Sequence, residues 1–401
     1  MLLHKRQYKR LDLYNAHVGN RALSALGFVV QHAGIGTYYD GSVYKQAAAN
    51  TGRYTRENGR CGLLVEGADT NVLLYSSENH ATWTKDGGIS SASATSIIDG
   101  KAAVKYTATN TTDTVYQDIG IFDGNTSMFM IVEQGTAAKC RIEIYDSTAS
   151  ASFGNIELTF STGAVTEIGG SPLEAYSYKI TDSGPNGGVT YILVVSNTTS
   201  AGNNRRVLLY PSTAAGGAYT YWHHAQLSDS NHSSSPIVTT TDPVSRDGDV
   251  VTSSTIPSFW NDNEITILSE YEKIFKGDDI HTVFASSNTA ADYFLCSLAG
   301  SDNNPQTLVN VGGGGPSQAL SAAVLSSGAR NKVGHSHKDG YTYACGNGTA
   351  SANAATAGVP AATDRLDIGQ ALGALYWLNG RIFSIAIKTS AFSDTELEYW
   401  T

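Results

Sequence analysis

The chain has 401 residues, a length that allows two or three domains of ordinary size. Charged residues make up only 15% of it, whereas glycine (41 residues) and tyrosine (22 residues) are abundant, and this composition is typical of short strands joined by tight turns. The net charge of −10 argues against nucleic acid as a partner, because phosphate binding needs clustered lysine and arginine.

The first 22 residues differ from the rest of the chain in charge. They hold one acidic and five basic residues, for a net charge of +4, and the basic residues are Lys5, Arg6, Lys9, Arg10 and Arg21. Such a segment can contact an acidic protein, nucleic acid or anionic lipid, or it can be a solvated terminus. The chain has no apolar run of about 18 residues and no apolar stretch behind the basic start, so we expect neither a membrane span nor a secretory signal.

Alternation of apolar and polar residues predicts strands along the whole chain, because this period places one face in a core and the other in solvent. Clear examples occur at 141–144, 156–160, 264–267 and 383–387. Two apolar runs, at 191–195 and 207–210, predict strands that are buried on both faces.

Helical signals are nearly absent from the sequence. Ser393 and Glu396 have the spacing of a capping box and predict one short helix near the C-terminal end. Asn379 and Gly380 predict a type I′ hairpin turn, in which Gly380 would adopt a positive φ.

Stretches rich in glycine, serine, threonine and proline divide the chain into segments. We predict a mostly irregular N-terminal segment, a first β-sandwich, a linker and a second β-sandwich, at 1–75, 76–235, 236–257 and 258–401 respectively. Each strand block has the size of one sandwich of two antiparallel sheets, so the predicted fold class is all-β.

Several residues are expected to have structural roles. Arg53, Glu66 and Arg246 lie beside apolar runs, and we expect surface or interface ion pairs that fix how the N-terminal segment and the linker pack. Trp83 and Trp222 bracket the first sandwich and are expected to fill its core. The four cysteines show no CxxC spacing, so we expect them to be free and mostly buried. They are Cys61, Cys140, Cys296 and Cys345.

A search for catalytic motifs leads us to predict that the protein is not an enzyme. A glycosidase needs two carboxylates about 5 to 10 Å apart, which in a sandwich of this kind would be expected on one strand face, but Asp364 and Asp367 would point to opposite faces of a strand. No nucleophile elbow, zinc-protease motif or phosphate-binding lysine occurs. The glycine run at 312–315 predicts a flexible loop, and we expect no cofactor.

Two pairs of side chains could contribute to a metal site. His335 and His337 share a strand face, a spacing that can hold a metal when a third ligand comes from elsewhere. Asp247 and Asp249 flank a glycine and could bind calcium, but the loop lacks a full set of ligands. We therefore predict no bound metal.

Short motifs in the first part of the chain occur in an order that resembles tailed-bacteriophage virion proteins. They are GTYYDG at 36–41, AANTGR at 48–53, GLLVE at 62–66 and TNVLL at 70–74. The opening at 76–85 and the pair YWHHAQL (221–227) and VSRDGD (244–249) resemble the ends of a jelly-roll module similar to carbohydrate-binding modules. Residues 1–30 match no motif of these proteins.

The last block resembles a concanavalin A-like, laminin-G-like domain. The matching motifs are EITIL at 264–268, RNKV at 330–333, RLDIG at 365–369, LNGRI at 378–382 and SDTEL at 393–397. The resemblance covers most of residues 35–401. It implies two sandwich modules in series.

The resemblance to these virion proteins implies a function as well as a fold. It implies a structural tail or head fibre or spike, exposed on the particle surface, that works as a homotrimer and displays its sandwiches to host-surface glycans or proteins. The N-terminal segment would dock to other virion proteins through Lys5, Arg6, Lys9 and Arg10. The alternatives are a purely structural capsid decoration protein and a glycan depolymerase.

The candidate ligand-binding residues lie in the last block. Tyr376 and Trp377 would alternate across a strand, which places one ring outward beside Asn379. Tyr341 and Tyr343 lie on one face of another strand. Exposed rings beside amide side chains can hold sugars by stacking and directional hydrogen bonds. Cross-strand packing of the rings is the alternative.

Overall fold

The structure is a computed structural model in which almost all regular elements are strands. The residues that it describes are 8–13, 23–32, 36–57, 60–77, 83–121, 124–199, 202–214, 216–230, 233–258, 260–274, 280–289, 292–299, 304–326, 328–338, 340–352, 354, 358, 360, 363–371 and 376–401.

The strands are spread over the whole described chain. Those of the N-terminal segment are short: β1 (Tyr8–Asp12), β2 (Val29–Gln31), β3 (Thr37–Tyr39), β4 (Tyr44–Gln46), β5 (Arg53–Glu57), β6 (Arg60–Val65) and β7 (Asp69–Asn71). Those of residues 76–235 are β8 (Thr84–Asp86), β9 (Ser90–Thr95), β10 (Ala102–Ala108), β11 (Thr114–Ile121), β12 (Gly124–Gln134), β13 (Lys139–Asp146), β14 (Ala151–Thr159), β15 (Ala164–Gly170), β16 (Glu174–Thr181), β17 (Thr190–Thr199), β18 (Asn204–Tyr210) and β19 (Ala218–Ser228).

The remainder of the chain has the same character. Its strands are β20 (Val244–Arg246), β21 (Val250–Ser253), β22 (Glu264–Lys273), β23 (His281–Thr289), β24 (Asp292–Ala299), β25 (Asn304–Asn310), β26 (Ser317–Leu320), β27 (Asn331–Lys338), β28 (Tyr341–Gly346), β29 (Thr349–Ala350), β30 (Arg365–Ile368) and β31 (Gly380–Lys388). The helix α1 (Asp394–Trp400) follows them.

Four large sheets are built from these strands, and every pairing between named strands is antiparallel. Sheet I has the order β15-β14-β13-β18-β11-β8, and sheet II has the order β16-β17-β12-β19-β10-β9, with β7 beside β19 and β20 beside β7. Sheet III has the order β29-β28-β27-β22-β31-β6-β5 with β1 beside β31, and sheet IV has the order β2-β21-β30-β23-β24-β25-β26. The prediction of an all-β fold with antiparallel sheets is confirmed.

The N-terminal segment and the predicted linker both take part in these sheets. β1, β5 and β6 belong to sheet III, β2 belongs to sheet IV, and β3 pairs with β4. In the linker, β20 pairs with β7, whereas β21 lies between β2 and β30. The boundaries proposed at residues 75, 235 and 257 stay predictions.

Apolar side chains from facing sheets form two cores. The first core joins sheets I and II and includes Met130 of β12 and Ile142 of β13. The second joins sheets III and IV and includes Ile267 of β22 and Phe294 of β24. Each core removes a large apolar area from water, and each Å² of buried apolar surface stabilises the fold by about 25 cal/mol.

A third apolar cluster covers the other face of sheet II. Phe129 of β12 and Ile192 of β17 meet Leu64 of β6 and Ile274, which follows β22. The run 191–195 is therefore buried on both faces, as predicted, because alternate residues enter different clusters.

The run 207–210 does not follow that prediction. Val207 and Leu209 are buried in the first core, but Leu208 and Tyr210 are only half-buried on the opposite face. The expectation of two buried faces was wrong here because no element of the described part of the chain packs on this side of β18 tightly enough to enclose it.

The local signals for helix and cysteine state are confirmed. The Ser393 hydroxyl oxygen accepts a hydrogen bond from the Glu396 N–H, and the Glu396 carboxylate accepts one from the Ser393 N–H. All four cysteines are free, and all but the half-buried Cys61 are buried. Among the described residues, no helix is both long and apolar enough to cross a membrane.

Gly380 has a different role from the predicted hairpin turn. Asn379 has a φ of 50°, but Gly380 is the first residue of β31 and pairs with both Lys273 and Val65. A Cβ atom at Gly380 would lie far inside van der Waals distance of the Glu272 carbonyl oxygen. The prediction was wrong because close strand packing, rather than a turn, requires glycine at this position.

Replacing Gly380 with alanine should lower the free energy of unfolding by about 1–3 kcal/mol, since the strands must move apart to admit a methyl group. Urea denaturation measures the loss. Gly314→Ala is the matched control, because its nearest contact would be the Val311 carbonyl oxygen at 3.7 Å. Its effect should stay within about 0.5 kcal/mol. Equal stability of the two variants would contradict the packing argument.

Candidate functional site

The basic residues predicted to attach the protein to a virion are only partly described. Lys5 and Arg6 lie outside the described residues. Lys9 and Arg10 lie in β1, whose backbone pairs with β31 at the edge of sheet III. The backbone of this part of the segment is therefore built into a sandwich, and the attachment role stays a prediction.

Tyr341 and Tyr343 share one face of β28, as predicted. Both are half-buried, and their ring centroids lie 5.4 Å apart. The Lys338 ammonium lies 4.3 Å from the centroid of the Tyr341 ring, and Tyr343 packs beside the buried Phe392. These rings therefore contact each other and their neighbours, while their ligand role remains untested.

Tyr376, Trp377 and Asn379 do not form the arrangement expected of them. Tyr376 and Trp377 lie outside any strand, so the expected alternation across a strand is wrong. The Trp377 indole N–H donates to the Asp249 carbonyl oxygen at 3.0 Å, and the buried Asn379 side chain accepts from the Gly67 N–H at 2.9 Å. Both side chains are used to join distant parts of the chain, and Tyr376 remains 38% exposed.

The histidines that could contribute to a metal site are buried in the second core. His335 Nδ1 lies 3.0 Å from Thr307 Oγ1, and the His337 ring centroid lies 5.8 Å from that of Phe294. No group of three or more histidine, cysteine or acidic side chains suited to a metal occurs among the described residues.

The expected ion pairs of Arg53, Glu66 and Arg246 are confirmed, and they are buried rather than at the surface. Arg53 Nη1 lies 2.8 Å from Glu66 Oε2, which also accepts from Arg246 Nη1 at 3.0 Å. Arg53 Nε donates to Asp249 Oδ1 at 3.0 Å. Asp249, weighed above as a calcium ligand, is thus engaged by a guanidinium group, while Asp247 is exposed.

A second buried polar group lies in sheet II. His223 Nδ1 accepts a hydrogen bond from the Ile97 N–H, so its Nε2–H is the donor to Glu133 at 3.1 Å. Glu133 also accepts from the Gly188 N–H at 2.7 Å. Both side chains of the pair are fully buried, so this arrangement holds a loop in place and offers no surface to a substrate.

The outer face of sheet I holds a group of aromatic and charged side chains that we name the sheet I face. Residues of β13 alternate, so that Ile142 and Ile144 enter the first core while the residues between and beside them point outward. The members of the sheet I face are Tyr116, Asp118, Lys139, Arg141, Glu143, Tyr145, Asn155, Glu157, Arg206, Leu208 and Tyr210.

Strand register brings these residues together from four strands. Arg141 of β13 lies opposite Tyr210 of β18 on one side and opposite Glu157 of β14 on the other. Tyr145 lies opposite Arg206, which in turn lies near β11. Residues directly opposite in antiparallel strands have Cβ atoms about 5 Å apart, so the group forms one continuous surface.

Guanidinium groups stack on two of the tyrosines. The Arg141 Cζ atom lies 5.0 Å from the centroid of the Tyr210 ring, and the Arg206 Cζ atom lies 4.0 Å from that of Tyr116. Such cation–π contacts are attractive and restrict the movement of the side chains. The sheet I face therefore presents planar groups on a rigid support.

Most charges on the sheet I face are paired within it. Arg206 forms a two-point contact with Asp118, with distances of 2.8 and 2.9 Å. Lys139 Nζ lies 2.6 Å from Glu157 Oε1. Burial alone would raise the pKa of Glu157, but hydrogen bonds from Lys139 and Thr213 hold it below its usual value. Glu157 is therefore an anion at neutral pH.

Tyr210 and Glu143 form the central polar contact. The Tyr210 hydroxyl donates to Glu143 Oε2 at 2.7 Å. Burial and this hydrogen bond raise the pKa of Tyr210 above its usual value, so the hydroxyl stays protonated and keeps its donor role. One carboxylate oxygen of Glu143 remains for a further donor.

Three buried polar atoms at this outer surface have no hydrogen-bond partner among the described residues. They are Arg141 Nε, Asn155 Oδ1 and Ser152 Oγ, which comes from β14 opposite Tyr145. Unpaired buried polar groups are rare and destabilising, and ligand sites are among the places where they occur. Together with the stacked planar groups, they make this face the best candidate for a binding surface.

The sequence contained a signal for this surface that went unused. The alternation at 141–144 places Arg141 and Glu143 on the strand face away from the core, which is correct, although Glu143 is buried there by its neighbours. Tyr145 and Tyr210 continue the same outward positions on β13 and β18. Tyrosine and arginine at successive outward positions of several strands would have pointed to a recognition surface.

Comparisons with known proteins show no family. No protein-family profile matches the chain, and no curated protein matches it. Solved structures with similar folds include the carbohydrate-binding module of the Ruminococcus gnavus IT-sialidase bound to alpha2,3 sialyllactose. That structure is 15% identical, covers 34% of this chain and 81% of its own, and has a TM-score of 0.30.

Two further structures cover more of the chain at lower identity. Mouse laminin alpha1 domains LG4-5 are 10% identical, cover 82% of this chain and 92% of their own, and have a TM-score of 0.27. A tandem carbohydrate-binding module from Paenibacillus barcinonensis Xyn10C is 9% identical, covers 83% and 94%, and has a TM-score of 0.27. Likenesses with TM-scores this low carry no argument about function.

Proposed function

We propose that this protein is a non-catalytic glycan-binding protein and that the sheet I face is its binding surface. The observation that supports this proposal is the set of stacked tyrosine and arginine side chains beside three unpaired polar atoms. Sugars present apolar C–H faces and many hydroxyl groups, so they match a surface of planar rings with donors and acceptors.

The chemistry of this face favours binding over hydrolysis. Glu143 and Glu157 lie on neighbouring strands, and a glycosidase would need one such group as a general acid with a raised pKa. The pKa of Glu157 is lowered instead. Glu143 Oε2 is already occupied by the hydrogen bond from the Tyr210 hydroxyl.

Tyr145→Ala and Tyr210→Ala should each weaken glycan binding by about tenfold or more, because each removes a planar contact. Glycan arrays followed by isothermal titration calorimetry on the hit measure the change. Tyr341→Ala is the matched control on β28 and should leave affinity unchanged. Loss of binding in Tyr341→Ala alone would place the site on sheet III and contradict the proposal.

We further propose that the protein acts on the surface of a tailed-phage virion, as a fibre or spike that carries this binding surface. The order of the motifs at 36–74 and 221–249 supports this location. Antibody labelling of particles of the phage that encodes the chain would test it, with label expected on the tail or on head fibres. Uniform label over the head lattice would favour a decoration protein. In a separate assay, release of oligosaccharides from host glycans by the purified protein would favour a depolymerase.

A further inference from the structure

Arg141 differs from the other two cations of the sheet I face in its contacts. Lys139 and Arg206 each have a carboxylate oxygen within 2.9 Å. Arg141 Nη2 is 3.8 Å from Glu157 Oε2, which is too long for a hydrogen bond, and Arg141 Nε has no partner among the described residues. The charge of Arg141 is thus not matched by a close anion.

The neighbours of Arg141 leave it in this condition. Glu157, the nearest carboxylate, is held by Lys139 at 2.6 Å. Glu143 is two residues along the same strand and is engaged by the Tyr210 hydroxyl. Neither carboxylate can turn fully to Arg141 without giving up a shorter contact. The guanidinium therefore stays fixed over the Tyr210 ring, with its side chain 23% exposed.

We infer that the glycan bound by the sheet I face carries a carboxylate, and that Arg141 is the residue that recognises it. This inference rests on the proposed function. A guanidinium group forms two parallel hydrogen bonds with a planar carboxylate, and these bonds are stronger than bonds between neutral groups. Arg141 is already positioned by stacking, so little side-chain entropy is lost when such a ligand binds.

The rest of the face complements the same ligand. A carboxylated sugar also carries hydroxyl or amide N–H donors, and Glu143 has a carboxylate oxygen that Tyr210 does not use. Glu143 lies two residues from Arg141 on one strand face, about 7 Å away along the strand. An acidic group at Arg141 and a donor at Glu143 would fix the orientation of the sugar.

The test compares matched pairs of oligosaccharides that differ only in whether the carboxyl group is intact or reduced to an alcohol. Pairs based on galacturonic, glucuronic and sialic acid are printed on one array, and the affinity of each bound pair is measured by titration calorimetry. The full chain should bind the carboxylated member of at least one pair about tenfold or more tightly, and high salt should narrow that difference.

Substitutions assign the preference to Arg141. Arg141→Gln should bind both members of the pair equally, and Arg141→Lys should keep only part of the preference, since lysine lacks the two-point geometry. Arg330→Gln, which removes the same charge from an exposed ion pair of sheet III, should keep the full preference. Near-ultraviolet circular dichroism shows whether each variant retains the native fold.

The possible failures are distinct. Equal or tighter binding of the reduced members by the unaltered protein would overturn the inference about Arg141 and leave the proposed glycan-binding function standing. A preference that survives in Arg141→Gln would overturn the assignment of the residue. Absence of binding to any glycan, acidic or neutral, would overturn both proposals.

Discussion

Replacing Arg53 with methionine is expected to lower the free energy of unfolding by about 3–5 kcal/mol, because it leaves two carboxylates buried beside a single remaining arginine. Arg53 is fully buried and contacts both Glu66 and Asp249. Methionine has a similar length and no charge, so it fills the space but neutralises neither carboxylate. Among the described residues, Arg246 is then the one cation close to both.

The size of this effect follows from the segments that Glu66 and Asp249 connect. Glu66 accepts hydrogen bonds from the Ser235 N–H and hydroxyl group, both at 2.7 Å, and Asp249 Oδ2 accepts one from the Glu66 N–H at 2.8 Å. Burial alone would raise the pKa of Glu66, but Arg246 and Arg53 hold it below its usual value. Without Arg53 much of that support is lost, and the strand ends that meet here separate more easily.

Urea denaturation at neutral pH measures the loss, and Arg330→Met is the matched control. Arg330 pairs with Glu270 at an exposed position, where an ion pair contributes about 0–1 kcal/mol. A loss below about 1 kcal/mol in Arg53→Met would show that the carboxylates find other partners or protonate at little cost. In that case the ion pairs of Arg53 with Glu66 and Asp249 would not be the main contact between the N-terminal segment and the linker.

Local patterns in the sequence were sufficient to predict the fold class but not the pairing of distant segments. The alternation at 141–144 defines a strand with one core face, and Ser393 with Glu396 defines a helix start, because both signals act within a few residues. The pairing of β6 with β31 and of β2 with β21 depends on contacts between remote parts of the chain. Nothing in the short strands of residues 8–71 indicates those partners.

Trp377 shows why the strand predicted at 376–377 was wrong. The alternation of Tyr376 and Trp377 predicts a strand with one outward ring. The Trp377 ring packs instead against Gly248, where any Cβ atom would overlap it, and its N–H bonds to the next residue, Asp249. The space that Gly248 leaves for the ring cannot be predicted from the residues next to Trp377 in the sequence.

The sheet I face was only half predictable. Sequence alternation assigns Arg141 and Glu143 to the solvent side of β13, but the identity of their neighbours depends on strand order and register. The alignment of Arg141 with Tyr210, and of Glu143 with Leu208, exists only because β18 lies beside β13. A recognition surface built across strands is therefore invisible until the sheet order is known.

The free energy of unfolding should be nearly constant above pH 6.5 and should fall steadily between pH 6.5 and pH 5. Burial lowers the pKa of His335 and of His224 to about 3, from an ordinary value of 6.5. Below pH 6.5 the unfolded chain therefore binds protons that the folded chain does not. Each histidine removes about 1.4 kcal/mol per pH unit, so the two together remove about 4 kcal/mol by pH 5.

The hydrogen bonds explain why these histidines stay neutral. The Thr307 hydroxyl donates to the Tyr343 carbonyl oxygen, so it must accept from His335 Nδ1–H. His335 Nε2 then carries no proton and has no partner among the described residues. Protonation at Nε2 would place a positive charge in an apolar core, where no described residue brings an anion close to it.

His224 is neutral for a similar reason. The Gln226 side-chain amide N–H groups donate hydrogen bonds to Asp69 and two serines. The amide oxygen therefore faces His224 and accepts a hydrogen bond from its Nε2–H at 3.4 Å. His224 Nδ1 then accepts from the Ser77 hydroxyl at 2.7 Å. A second ring proton, at Nδ1, would meet the Ser77 hydroxyl donor. The resulting positive charge would also be buried in sheet II, away from water, which is unfavourable.

Chemical denaturation at a series of pH values separates these histidines from the carboxylates. The pKa values of Glu66, Glu133 and Glu157 are lowered below 4.5, so those groups weaken the fold only at lower pH, after the histidine effect has begun. His335→Gln should remove the share of His335, about 1.4 kcal/mol per pH unit, from the slope between pH 6.5 and pH 5, whatever it does to stability at neutral pH. Burial also lowers the pKa of His223 and of His32, so part of the slope remains in that variant. An unchanged slope in that variant, or a flat profile in the unaltered protein, would mean that His335 accepts its proton without unfolding. The second core would then have to open to water around His335 while the strands of sheets III and IV stay paired.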